Sequence, residues 1–62
     1  MMSDIRFTHT DQDDDTLIVR AGMLGAVIRA QTSTSDAAVA VRYEYLPELI
    51  AALQGILDEA AL

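Results

Sequence analysis

The chain has 62 residues, four Arg and no Lys against ten Asp and Glu, a net charge of −6, and neither Cys nor Trp. That length supports one small domain over 1–62. The composition excludes a disulfide framework and a Cys-ligated zinc site, and the acidic balance argues against a conventional nucleic-acid binder.

Met1 to Asp4 lacks the basic and apolar regions of a signal peptide, and is expected to be a disordered N-terminus. Ile5 to Thr10 alternates, with Ile5, Phe7 and His9 on one side and Arg6, Thr8 and Thr10 on the other. A period of two predicts a strand. Asp11 to Asp15 then predicts a solvated turn.

Thr16 to Thr32 is rich in β-branched residues (Ile18, Val19, Val27, Ile28) and reads as strand. Drawn straight it would span about 55 Å at 3.3 Å per residue. A domain of this size has a radius of gyration near 11 Å. The segment must therefore turn, and Gly22 and Gly25 are where it can. Strands over 16–21 and 25–32 joined by a hairpin fit best; one long strand coiled by a bulge is the alternative. Met23 and Leu24 would form an apolar tip if the hairpin exists, and core if the strand is continuous.

Thr32 to Asp36 is a loop by composition. Ala37 to Tyr45 alternates again and predicts a strand. Leu46, Leu49, Ile50, Leu53, Ile56, Leu57 and Ala60 then form the apolar stripe of an amphipathic helix. Pro47 suits its first turn, and Glu48 complements the positive end. The expected fold is α+β: an antiparallel meander of three to four strands with one C-terminal amphipathic helix packed on one face.

If Phe7, Val19, Ile28 and Val41 face the helix, the opposite face receives Arg6, Arg20, Arg29 and Arg42. Arg beside β-branched and small residues suits a protein interface. The plainer reading is a solvated face whose Arg residues pair with Glu44 and nearby Asp. A small-residue strip on the helix, Ala51, Ala52 and Gly55, would let another backbone approach; the plainer reading is tolerance at a solvent-facing site.

No catalytic or cofactor site is expected. Asp11, Asp13 and Asp15 have the spacing that opens a calcium loop. The sixth position of such a loop would be Thr16 rather than Gly, however, and the twelfth Gly22 rather than Glu. His9 is the single histidine, and without Cys any zinc ligands beside it would all be carboxylates. No hydroxyl sits in a nucleophile pattern.

The longest near-apolar run, Ala21 to Ile28, is far short of the roughly 20 residues that span a bilayer, so no membrane partner is expected and the cytoplasm is the default compartment. A domain this small buries only about 60% of its unfolded surface, and a second copy of itself is the obvious source of more. The expected function is therefore a non-enzymatic protein-interaction module, a homodimer acting as inhibitor or adaptor. A phage-encoded or bacterial regulatory protein would fit. The alternative is a nucleic-acid role, by acidic mimicry of DNA or by direct binding through the Arg face.

Overall fold

A computed structural model describes residues 4–61. The disordered start expected over 1–4 lies outside that range except for Asp4, whose carbonyl accepts a hydrogen bond from the Ala21 N–H at 2.9 Å.

Four strands follow in order: β1 (Ile5–Thr10), β2 (Thr16–Ala21), β3 (Gly25–Gln31) and β4 (Asp36–Arg42). They form one antiparallel sheet in the order β1-β2-β3-β4. A 3₁₀ turn (Tyr43–Tyr45) leads directly into α1 (Leu46–Ala60). This is the expected α+β meander with a C-terminal helix, and the hairpin reading of Thr16 to Thr32 is the one adopted.

Each connection has a local chemical cause. In the β1–β2 loop, one Asp11 carboxylate oxygen accepts from the N–H groups of Asp13 (2.9 Å) and Asp15 (3.1 Å). Asp14 takes the left-handed conformation, φ 64°, which short polar side chains tolerate better than most. In the β3–β4 loop, the Thr32 hydroxyl accepts from the N–H groups of Thr34 and Ser35, a turn of the Ser/Thr type. The Thr32 N–H itself bonds to the Ser35 carbonyl, which ends β3 at Gln31 rather than Thr32.

The β2–β3 hairpin is pinned twice. The Gly22 N–H donates to the Gly25 carbonyl at 2.8 Å. Gly25 is buried against β4: a Cβ there would lie 2.0 Å from the Val41 carbonyl oxygen. Only glycine permits that approach.

The alternation predicts a strand through Tyr45, but β4 ends at Arg42. The reason is the neighbouring strand. Gly25 pairs with Arg42, and beyond it β3 has turned into the hairpin, so no ladder partner remains. Tyr43 instead donates its N–H to the Leu24 carbonyl (3.2 Å) and its hydroxyl to the Gly22 carbonyl. The backbone passes from extended at Arg42 (φ −62°, ψ 152°) into helical geometry within one residue.

One point of packing departs from expectation: the pattern puts the helix on a sheet face, and within the chain it does not lie there. α1 meets the 3₁₀ turn and has no substantial contact with any strand among the described residues. No apolar side chain among them is buried, and Ile50, Leu53, Ile56 and Leu57 are between 56% and 63% exposed. The Cα radius of gyration is accordingly 13.3 Å, against about 11 Å for a compact chain of this length.

Candidate interaction surfaces

The strand register sorts the side chains into two unlike faces, because direct cross-strand partners share a face and neighbours along a strand alternate. One face carries the row Phe7, Val19, Ile28 and Val39, and beside it the row His9, Leu17, Ala30 and Ala37. Ala21, Ala26 and Val41 complete it. Apart from His9 this face is wholly apolar. Its outer members are open to solvent: Phe7 is 53% and Val39 64% exposed.

The other face is mixed. It carries the row Ile5, Arg20, Val27 and Ala40, the row Thr8, Ile18, Arg29 and Ala38, and Arg42 opposite Gly25. Three of the four Arg expected on one face are thus together: Arg20, Arg29 and Arg42. Arg6 is not in the paired register, because a bulge between Ile5 and Phe7 shifts β1 at that residue. The bulge returns Ile5 to the Arg20 face, so simple counting along β1 misplaces it.

Two of these Arg carry ion pairs. The Arg29 Nη1 lies 2.8 Å from the Asp36 carboxylate, and the Arg42 Nε 3.4 Å from that of Glu44. Both pairs are about half-exposed or more, where such contacts contribute about 0–1 kcal/mol. Arg6 and Arg20 have no ion pair among the described residues.

A third surface is the helix stripe. Leu46 and Leu49 are half-covered next to the 3₁₀ turn, and from Ile50 onward the stripe is exposed. Gly55 and Ala51 of the small-residue strip lie away from it, Gly55 about half a turn round from Leu53 and Leu57 at 3.6 residues per turn, whereas Ala52 borders the stripe beside Ile56. Ala51 and Ala52 are exposed, and a Cβ on Gly55 would meet nothing within 4 Å. Within one chain the strip therefore packs against nothing. Met23 and Leu24 stand at the hairpin tip, 93% and 65% exposed.

The two backbone bonds accepted by one Asp11 oxygen make that carboxylate a loop fastener. Among the described residues no group of three or more His, Asp or Glu is placed to hold a metal ion. A shallow open concavity of about 170 Å³ lies beside His9, Asp11, Thr16 and Leu17, smaller than the several hundred Å³ usual for a small-molecule site. No helix among the described residues is long and apolar enough to cross a membrane.

Sequence reasoning overlooked Tyr43. Its alternation with Val41 and Tyr45 placed it as one more strand residue, whereas its hydroxyl ties the start of the helix to the β2–β3 hairpin. The available signal was Pro47, which marks a helix start, with a tyrosine four residues before it.

Compared with protein-family models, characterised proteins and solved structures, the chain matches none.

Proposed function

We propose that the chain is a non-enzymatic protein-interaction module whose working form is an assembly, in the first place a homodimer, and that it acts as an inhibitor or adaptor. One observation carries this reading: an apolar sheet face and an apolar helix stripe are left uncovered in the same small chain. An isolated sheet needs a second layer against its apolar face to be stable. Contiguous apolar surface on this scale marks a contact site.

The area supports the same reading. The accessible surface is 5333 Å². A compact chain of 6.7 kDa is expected to expose about 3,900 Å², so the excess is more than about 1,000 Å². Two copies that each removed that excess would bury more than about 2,000 Å², the range of obligate homodimers.

Sedimentation equilibrium at micromolar concentration tests this. A mass of twice 6.7 kDa is the expected result. A monomer at tens of micromolar would overturn it.

A nucleic-acid role has narrower support, namely Arg20, which has no ion pair among the described residues on a face shared with Arg29 and Arg42. The last two are already paired with Asp36 and Glu44. Direct binding of this kind would show retardation in a low-salt gel shift and lose it steeply with added salt.

A further inference from the structure

We propose that the occupant of the apolar sheet face is the C-terminal helix of a second copy, so that two chains exchange their helices reciprocally and each sheet receives its second layer from its partner. This rests on the self-association proposed above and names its geometry.

The first support is the connection between β4 and α1. From Tyr43 to Ala60 the backbone is helical without a break: the 3₁₀ turn ends at Tyr45 (φ −100°, ψ −7°) and α1 starts at Leu46 (φ −60°, ψ −38°). There is no loop in which the chain could reverse. Laying α1 on its own sheet would require a break within Tyr43–Leu46. A break at Tyr43 would remove its bonds to Leu24 and Gly22, and one at Tyr45 or Leu46 would interrupt the continuous helical run that leads into α1. A short, fastened connection that prevents self-docking is the condition under which identical elements exchange between copies.

The second support is complementarity of size and polarity. α1 has 15 residues and is about 22 Å long. Strands of 6 and 7 residues are about 20–24 Å long. The helix stripe from Leu46 to Ala60 holds no charge, and the row of Phe7, Val19, Ile28 and Val39 holds none either. Seating one on the other buries no unpaired ion. The opposite sheet face, with Arg20, Arg29 and Arg42, is a poor seat for the stripe because those guanidinium groups would lose water.

The third support is the direction of what remains. With the stripe seated, Gly55 and Ala51 point outward and the Arg-bearing face stays in solvent. Both are then free for a further protein. The area argument also closes, because exchange covers the sheet face and the stripe at the same time.

The absence of Cys allows a direct test in the full-length chain. A chain carrying V39C and a chain carrying L53C, distinguishable by mass, are mixed and treated with an oxidant or a short bismaleimide. A second pair, F7C with I56C, is run in parallel, and circular dichroism checks that each variant keeps its fold. Exchange predicts sheet-to-helix links between different chains in at least one pair, at several times the yield of either variant alone. It also predicts that the V39C/L53C double variant becomes a covalent dimer. A double variant linked within one chain, running as a monomer, would overturn the proposal. So would a dimer linked chiefly sheet to sheet through position 39 or helix to helix through position 53, or a dimer giving no sheet-to-helix link with either pair. In these last two cases self-association stands and only the exchange is lost. A monomeric mass for the unmodified protein removes both.

Discussion

The corner around Gly25 and the helix α1 are opposite solutions to the same shortage of buried area. At the corner, three strand ends and the 3₁₀ turn meet so closely that Gly25 is buried and no side chain fits there. Tyr43 closes it with two hydrogen bonds reaching back to the hairpin. The helix has the better pattern of the two, with seven apolar residues in register, yet within the chain it covers almost nothing. Local regularity and tertiary burial are therefore separable in this protein. The corner gains its order from backbone contacts made inside one chain. The helix needs a surface the single chain does not turn toward it.

Substitutions can break or sharpen that contrast. The largest effect is expected at the corner. Gly25→Ala places a Cβ 2.0 Å from the Val41 carbonyl oxygen, where backbone rather than a flexible side chain must move. A loss of about 3 kcal/mol or more is expected in urea unfolding, which for so small a domain amounts to loss of the fold.

Leu53→Asp comes next and acts on the other region. It puts a charge into the exposed stripe, so the assembly should dissociate, and strand content by circular dichroism should fall with it as the sheet loses its second layer. The dimer dissociation constant should rise by about thirtyfold or more, the scale of an interface hot spot. An unchanged mass by sedimentation would remove the stripe from the contact.

Tyr43→Phe deletes the hydroxyl bond to Gly22 and should cost about 1 kcal/mol, measured by thermal unfolding. Because the same bond sets the direction of the helix, the variant should also gain a monomeric fraction whose helix has reversed.

Gly55→Ala has the opposite sign. Its Cβ meets nothing, so the helix should gain about 1 kcal/mol with no change of mass in solution. A weakened dimer would instead place the small-residue strip at the interface.

The smallest change expected is at the Arg29–Asp36 pair. Asp36→Asn should alter stability by less than about 0.5 kcal/mol, and less still in high salt, since the pair is half-exposed.

Much of this was legible in the residues. The period-two alternation of Ile5 to Thr10 and the period-3.6 stripe of Leu46 to Ala60 are direct consequences of strand and helix geometry. These two elements therefore appear where the pattern places them. Gly22 and Gly25 marked the hairpin because an extended run of that length cannot fit the domain. Arg20, Arg29 and Arg42 followed from the alternation as well. Arg6 did not, because a bulge adds one residue with no signature in the pattern. Tyr43 and Tyr45 were misplaced for a related reason: alternation describes a segment that could be a strand, and a strand also needs a partner.

Periodicity and turn chemistry, which are properties of neighbours in sequence, were enough to determine an antiparallel meander of three to four strands and an amphipathic helix. Where the helix goes was decided only by the tertiary structure. The exhaustion of β3 at Gly25 and the two bonds of Tyr43 are contacts between residues some twenty positions apart, and they turn α1 away from the sheet it was patterned to cover.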